Sequence, residues 1–267
     1  MTETTPKGPS FADLGVRMAS AAVLIAIALI DFWRGGLYVT ILVMAGTGLM
    51  LWEYRRIVLR GLSLSDRTLW IMAGSGAACV AATGLADLPY GVAALAVGLV
   101  LTALSDRARI EWMLPGLAYI ALPMAILVDM RADPAQGFPL VLWLVCVVIA
   151  ADVGAYFAGR LIGGPKLWPR LSPKKTWAGA IGGLVAALIV GTAFLFSGHV
   201  SLPVLVLLSG IMAVASMAGD LLESWLKRRY GVKDASSLIP GHGGLLDRFD
   251  GLIGALWAYA LLGMFFA

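Results

Sequence analysis

Long apolar runs, each bounded by charged or turn-forming residues, follow one another along the chain. Such runs are too long for strands, and an open sheet edge in lipid would leave backbone N–H and C=O groups without partners. The pattern therefore predicts an all-α polytopic integral membrane protein with about nine transmembrane helices. The runs lie at about Met18–Trp33, Leu37–Trp52, Leu69–Ala86, Leu88–Leu104, Met113–Val128, Phe138–Gly159, Ala178–Phe196, Leu202–Leu222 and Gly251–Ala267.

The composition excludes an ordinary soluble protein. Of the 267 residues, 60% are hydrophobic and 13% are charged, whereas soluble domains are roughly 45–50% apolar and about 25% charged. One globular core could not remove so much apolar surface from water. Spans of about 20 residues use most of the chain, so there is room for short loops but not for a separate soluble domain.

The cationic residues are distributed unevenly between the two predicted membrane faces. If the spans alternate strictly, all 20 Lys and Arg residues except Arg34 and Arg131 fall on one face. Short cytoplasmic loops carry the excess of positive charge, which predicts a cytoplasmic N-terminus and a C-terminus on the outside. We expect a bacterial inner (plasma) membrane, because the chain is compact and shows no appended domain.

The polar residues are also distributed unevenly along the chain. Residues 1–17 are predicted to form a cytoplasmic tail or interfacial segment, and residues 18–137 about five almost uniformly apolar transmembrane helices. From Phe138 onward, polar side chains enter the spans, and two loops are dense in Lys, Asp and Gly. We therefore expect residues 138–267 to be the catalytic transmembrane region, with two cytoplasmic loops.

Asp152 stands well inside a predicted span, where an ionised carboxylate costs about 2.5–3.5 kcal/mol or more. Tyr156 and Arg160 follow at helical spacing, so the three side chains share one face. The favoured interpretation is a polar wall that faces a cavity connected to the cytoplasm. The alternative is an internal Asp–Arg pair that locks two helices together.

The loop between the sixth and seventh predicted spans contains five Lys or Arg residues and no acidic residue. Lys174 and Lys175 stand just before an apolar helix. Thr176 or Ser172 can cap that helix, and Pro173 suits its first position. A helix N-terminus behind two lysines is a candidate anion site. The alternative is a loop that follows the positive-inside rule and attracts anionic lipid headgroups.

Asp220 lies at the end of the eighth predicted span and begins a second polar cluster. Glu223, Ser224, Lys227 and Arg228 follow at spacings that predict one shared helical face. Mg²⁺ prefers oxygen ligands and is usually held by one or two carboxylates together with substrate phosphates. A metal site is one interpretation of the cluster, and a local salt-bridge cluster is the other.

A glycine-rich loop precedes the last predicted span. The glycines around His242, including Gly243 and Gly244, allow positive φ and close approach to a phosphate or a base. Asp247 and Asp250 put two carboxylates on one side of a helical turn. Arg248 stands between them in sequence but points elsewhere, where it can meet another anion.

Carboxylates for a metal, cations for phosphates and glycines for close approach all fall at the same predicted membrane surface. This combination suits phosphoryl or nucleotidyl transfer, in which catalysis is mainly positioning and charge neutralisation. Neither common glycine-rich nucleotide motif is present in the sequence. An enzyme at the membrane interface most simply takes a lipid as its second substrate, and we expect no nucleic-acid partner.

One stretch of 27 residues resembles the hallmark pattern of the phosphatidate cytidylyltransferases, also called CDP-diacylglycerol synthases. The stretch reads Ser224-x-Leu226-Lys227-Arg228-x₄-Lys233-Asp234-x-Ser236-x₂-Ile239-Pro240-x-His242-Gly243-Gly244-x₂-Asp247-Arg248-x-Asp250. Two further stretches, Ser172–Thr176 and Asp152–Arg160, resemble the family's second characteristic region. Many relatives carry Glu at the position of Ala178, so any role of that carboxylate is absent here or supplied elsewhere.

The resemblance implies that CTP and phosphatidic acid react to give CDP-diacylglycerol and pyrophosphate. It further implies a homodimer among membrane lipids that requires Mg²⁺, paired with K⁺. Asp220, Asp247 and Asp250 are then the expected metal ligands. The other expected catalytic residues are Lys227, Arg228 and His242. The expected substrate-binding residues are Asp152, Tyr156, Arg160, Ser172, Lys174, Lys175, Thr176, Ser224, Lys233, Asp234, Gly243, Gly244 and Arg248.

Two other functions are weighed against this one. A CTP-dependent lipid-alcohol kinase would use the same nucleotide but transfer its γ-phosphoryl group. An ion-coupled membrane transporter belongs to a different class, and such proteins usually place their site near the membrane midplane between repeated, broken helices. Here the ionisable residues cluster at one face and no internal repeat is apparent, which favours an enzyme.

Overall fold

The computed structural model describes residues 26, 29–61, 65–197, 201–239 and 243–266. Residues 29–34 are helical, and a two-stranded sheet follows the fifth of the longer helices. The longer helices are α1 (Leu37–Leu59), α2 (Arg67–Leu85), α3 (Leu88–Ser105), α4 (Ile110–Ala132), α5 (Gly137–Leu161), α6 (Trp177–Thr192), α7 (Leu202–Arg229) and α8 (Leu246–Phe266), and the strands are β1 (Lys166–Trp168) and β2 (Ser172–Thr176).

Helices α1 to α7 are long and apolar enough to cross a bilayer, which confirms an α-helical integral membrane protein. Helix α8 corresponds to the last predicted span. Most of the first predicted span, Met18–Trp33, lies outside the described residues, as does the predicted tail 1–17. The count of nine spans and the placement of the two termini therefore stay predictions.

Several helices extend beyond the predicted apolar runs. Helix α1 continues past Trp52 to Leu59, and α7 continues past Leu222 to Arg229. A helix needs only part of its length in hydrocarbon, so its polar end can project into the interface. These extensions place Glu53 and Lys227 within helices and not in loops, and this fixes the direction of both side chains.

The helices form two packed groups. Helices α1 to α4 pack on one another and α5 to α8 pack on one another, while α4 also contacts α5 and α8. Close packing between α5 and α6 depends on glycine: a Cβ atom added to Gly182 would lie 2.2 Å from Cβ of Ala158. One added to Gly183 would lie 2.5 Å from the carbonyl oxygen of Ala151. The glycines of α6 therefore act as the close-packing residues that their spacing predicts.

Ionic contacts mark the two ends of the bundle. At one end, the Arg131 guanidinium donates to the carbonyl oxygen of Trp33 at 2.9 Å. At the other end, Arg55 pairs with Asp66 at 2.8 Å and with Asp106 at 3.1 Å. Asp106 precedes α4 and Arg131 lies in its last turn, and the 23 residues of this helix span about 35 Å at 1.5 Å per residue. Arg131 thus lies at the end opposite Arg55, as the charge distribution predicts.

Candidate active site

A polar cavity of about 590 Å³ lies between α5, the β-hairpin, α6 and α7. It brings together side chains that the sequence presents as separate motifs. Helix α5 contributes Asp152, Tyr156 and Arg160 to its lining, which confirms that these three side chains share one helical face. The polar side chains that line the cavity include Asp152, Tyr156, Arg160, Lys174, Lys175, Thr176 and Asp220.

The basic loop forms an antiparallel hairpin, in which Lys166 stands opposite Thr176 and Trp168 opposite Ser172. The expectation that Pro173 begins a helix is wrong, because Pro173 lies within β2 and the helix begins at Trp177. A two-stranded sheet has only edge strands, and these tolerate a residue that cannot donate a backbone hydrogen bond.

Thr176 and Ser172 were alternative caps for α6, and the structure selects Thr176. Its Oγ1 accepts the N–H of Gly179 at 3.0 Å, and its backbone is extended, as an N-cap requires. Ser172 lies four residues earlier, at the start of β2. The hairpin therefore carries Lys174 and Lys175 directly to the positive end of α6, where the helix dipole adds to their charge.

Two of the cations in this cavity, Lys175 and Arg160, have polar partners within it. Lys175 forms an ion pair with Asp220, and both side chains are partly exposed. The Arg160 guanidinium donates to the hydroxyl of Tyr156 at 2.8 Å. Arg160 is therefore bonded to its neighbour on α5 and does not form the Asp–Arg lock considered as an alternative. Asp152 interacts electrostatically with both members of the Lys175–Asp220 pair.

A second polar cluster lies between α7 and the start of α8. The Lys227 ammonium donates to Glu223 at 2.8 Å and to Asp247 at 2.6 Å. Asp247 also accepts the backbone N–H groups of Ala235 at 3.0 Å and Gly244 at 2.8 Å. Lys227 and Asp247 thus tie the glycine-rich loop to the end of α7.

The predicted single face of α7 divides into two. Asp220 faces the polar cavity, and the Ser224 hydroxyl donates to it at 3.4 Å. Glu223 and Lys227 instead face α8 and the loop. A Cβ atom added to Gly219 would lie 2.3 Å from the carbonyl oxygen of Asp250, so α7 and α8 are almost in backbone contact at this level.

Glu53 is the residue that the sequence analysis missed. It belongs to the apolar N-terminal half and is 0% exposed. Its carboxylate accepts a hydrogen bond from the Ser236 hydroxyl. It also accepts the backbone N–H of Leu245 at 2.9 Å and that of Leu246 at 2.6 Å. The glycine-rich loop is therefore supported from the N-terminal half of the chain, outside the region 138–267 in which the catalytic residues are expected. The signal was a carboxylate at the end of an apolar run, which needs donors from elsewhere in the fold.

The remaining predicted residues lie at the periphery. Arg228, Lys233 and Asp234 are exposed. Arg248 is exposed too, and it interacts electrostatically with Asp152. Gly243 has φ +88°, as its predicted close approach requires. His242 lies outside the described residues.

The donor set can be compared with what a magnesium ion needs. Across the described ranges, no group of three or more His, Cys, Asp or Glu side chains could hold a metal ion. Asp220 and Asp247 instead each face a lysine ammonium group. The buried Oε1 atom of Glu223 has no hydrogen-bond donor among the residues that the structure describes. These carboxylates fit a cation whose coordination substrate phosphates complete, and not a site built from protein ligands alone.

An apolar cavity of about 290 Å³ lies on the other side of α7, against α1, α4 and α8. Aromatic side chains of Trp112, Tyr119 and Trp225 line it, and Glu223 and Asp250 reach its wall. Since Asp220 lines the polar cavity and interacts electrostatically with Asp250, the carboxylates of α7 and α8 stand between a polar space and an apolar one.

The chain is similar to known proteins over most of its length. Residues 15–266 match the model of the cytidylyltransferase family. A phosphatidate cytidylyltransferase of Brucella suis is 37% identical over 262 residues, which cover 96% of this chain and 95% of the relative. The Bacillus subtilis enzyme of that name is 39% identical over 55% of this chain and 56% of its own length. The Haemophilus influenzae enzyme is 48% identical over 46% of this chain and 45% of its own.

Proposed function

The chain belongs to the cytidylyltransferase family, and from this premise we propose that it is a phosphatidate cytidylyltransferase, which transfers CMP from CTP to phosphatidic acid. The products are CDP-diacylglycerol and pyrophosphate. The observation that supports this most strongly is the polar cavity, in which Lys174 and Lys175 stand beside Asp220 at the capped N-terminus of α6.

The transfer of CMP to phosphatidic acid does not require a strong general base. A phosphate oxygen of phosphatidic acid, already anionic at neutral pH, forms a bond to the α-phosphorus of CTP. The bond from that phosphorus to the bridging oxygen breaks, and the electron pair leaves with pyrophosphate. The barrier is repulsion between two anions together with the charge that grows on the leaving group, and fixed cations lower both.

The polar cavity and the segments from the end of α7 to the start of α8 each contribute to this charge neutralisation and positioning. Lys174, Lys175 and Arg160 neutralise the triphosphate and the lipid phosphate at the end of α6. Lys227, Arg228 and Lys233 supply further positive charge from the end of α7 and the following loop. The glycine turn at Gly243 and Gly244 lets the nucleotide approach the backbone closely.

Asp220 and Asp247 would hold the magnesium ion, with Asp250 as a third ligand and a potassium ion as the second cation. When bound, the ion supplies positive charge that screens the attacking and leaving phosphates from one another. In the described structure Lys175 and Lys227 lie on these carboxylates. When substrate binds, each lysine can therefore exchange its carboxylate partner for a substrate phosphate.

The membrane arrangement suits an amphipathic substrate. The polar cavity opens at the end of the bundle that carries the basic loops. This end lies on the cytoplasmic side of a bacterial inner membrane. The apolar cavity beside Trp112 and Trp225 offers a place for acyl chains next to the carboxylates. A homodimer is the expected assembly.

Two differently labelled nucleotides test the reaction directly. Purified protein in detergent is given phosphatidic acid, Mg²⁺ and CTP that carries its label either in the cytosine ring or in the γ-phosphate. Ring label in the lipid fraction and γ-label in pyrophosphate are expected, and excess EDTA abolishes both.

Three results would contradict the proposal. Entry of γ-label into a lipid alcohol would show a kinase. Absence of label from lipid, with uptake of an ion into proteoliposomes, would show a transporter. Undiminished transfer in excess EDTA would show that the carboxylates do not act through a divalent metal.

A further inference from the structure

Glu53 joins the N-terminal half of the chain to the segment that carries the proposed metal ligands. We propose that Glu53 is a positioning residue for the transfer reaction: by capping α8 from a different helix, it sets the orientation of Asp247 and Asp250. This inference rests on the proposed function, because it assigns Glu53 to the same site. It goes beyond that function, since Glu53 lies outside every motif that the sequence singles out.

The first argument is the geometry of the cap. The first N–H groups of a helix have no partner within the helix. At the start of α8 the N–H of Leu245, the residue just before the helix, donates to Oε1 of Glu53 at 2.9 Å, and the N–H of Leu246 donates to Oε2 at 2.6 Å. A cap usually comes from the residue just before the helix, but Gly243, Gly244 and Leu245 have no side-chain oxygen. The carboxylate of α1 takes that place.

The second argument is that Glu53 holds both ends of the glycine-rich loop. The hydroxyl of Ser236, at the beginning of the loop, donates to Oε1, the same atom that accepts from Leu245 at its end. Ser236 also accepts the N–H of Leu238 at 3.0 Å. Since Asp247 accepts from Ala235 and Gly244, the described residues at both ends of the loop are bound by two carboxylates.

The third argument is steric. A Cβ atom added to Gly244 would lie 2.7 Å from Oε1 of Glu53 and 2.9 Å from Cβ of Ala235. A side chain at this position would therefore displace the carboxylate or the loop. The close approach of Glu53 is thus one physical reason for glycine at position 244.

The fourth argument is that Glu53 stands on a rigid base. Two residues later on α1, Arg55 is buried and pairs with Asp66 at 2.8 Å and Asp106 at 3.1 Å. These contacts hold α1 against the segments that precede α2 and α4. Because α1 is held in place, the Glu53 carboxylate also fixes the position of the start of α8. A displacement of about 1 Å at a catalytic group costs on the order of 10²-fold in rate.

The substitution Glu53→Gln tests the proposal with the full-length protein. The amide replaces one acceptor oxygen by a donor that faces a backbone N–H. We expect kcat to fall about 10²-fold, the Mg²⁺ concentration for half-maximal activity to rise, and KM for CTP to change less than about twofold. Hydrogen exchange of residues 243–250 should become faster, and Glu53→Asp should restore part of the lost turnover.

Asp129→Asn is the matched control, because Asp129 is a partly buried carboxylate of the same half that accepts the backbone N–H of Leu88 and contacts neither Arg55 nor the loop. It should leave the Mg²⁺ dependence and the exchange of residues 243–250 unchanged, whatever its effect on the thermal midpoint. The proposal is overturned if Glu53→Gln keeps the wild-type kcat and Mg²⁺ dependence, or if both variants lose kcat in proportion to their thermal midpoints.

Two further measurements keep the outcome decisive. If Glu53→Gln does not fold, Ser236→Ala removes one of the three hydrogen bonds, and unchanged kcat together with unchanged exchange of residues 243–250 in that variant overturns the proposal. If the wild-type protein transfers no cytidine label to lipid, the proposed function fails. Faster exchange of residues 243–250 in Glu53→Gln then still supports the cap, and unchanged exchange refutes it.

Discussion

The ammonium group of Lys227 donates a 2.6 Å hydrogen bond to Asp247, and this contact joins the end of α7 to the start of α8. The two residues are 20 positions apart and are separated by the exposed basic stretch and the glycine-rich loop. Because the bond is charged on both sides and partly buried, it fixes the position of a proposed metal ligand before any substrate binds.

Asp247→Asn should lower turnover about 10²-fold or more while the protein still inserts into the membrane. The amide keeps the shape of the carboxylate but removes the negative charge that would hold a divalent cation. The measurement is kcat at saturating Mg²⁺. Asp87→Asn is the control, since Asp87 precedes α3 at the opposite end of the bundle and makes no side-chain cap bond. Near-normal turnover of Asp247→Asn would refute its metal role.

Lys174→Ala and Lys175→Ala should each raise KM for CTP or phosphatidic acid about tenfold, because each removes one charged contact to a phosphate. The comparison variant is Lys166→Ala, which removes a lysine from β1, outside the lining of the polar cavity. Both KM values should stay unchanged in that variant. Unaltered KM values in the two test variants would show that these lysines do not bind substrate.

Gly183→Ala should lower the free energy of unfolding by about 1–3 kcal/mol, because the added methyl group meets the backbone oxygen of Ala151 at 2.5 Å. Gly74→Ala is matched to it, since Gly74 lies within α2 and an added Cβ meets nothing within 4 Å. There the change should be neutral or stabilising by up to about 1 kcal/mol, as for Gly→Ala in any open helix. Thermal midpoints in detergent measure both, and equal shifts would contradict the packing argument.

Acid should destabilise the N-terminal half through Asp66. Burial alone would raise the pKa of Asp66, but hydrogen bonds from Arg55 and from the N–H of Leu69 outweigh burial and hold it below its ordinary value. A lowered pKa contributes stability that is complete above the unfolded-state value, about pH 3.9, and is lost as pH falls through the folded-state value. Thermal midpoints measured from pH 6 down to about pH 3 should therefore drop, and less steeply in Asp66→Asn. Identical slopes would contradict this role for the Arg55–Asp66 pair.

The helices, the shared face of α5 and the family can be predicted from short stretches of sequence, because each signal involves residues that are close together in the chain. A bilayer admits only segments whose backbone is satisfied internally, so the apolar runs alone indicate the helices. The spacing of Asp152, Tyr156 and Arg160 sets their shared face through the helical period, and the hydroxyl of Thr176 marks the start of α6. The hallmark stretch indicates the family, since its residue types and spacings are specific.

Only the tertiary structure decided which side chains meet. Glu53 and Ser236 are 183 positions apart, and no periodic pattern relates residues at that distance. The hairpin that carries Lys175 depends on pairing between strands and not on a local apolar repeat. The division of α7, with Asp220 on one side and Lys227 on the other, follows from where α6 and α8 pack. The sequence therefore determines the membrane class, the helices and the family, whereas helix packing determines which carboxylate each cation neutralises and which half of the chain supports the site.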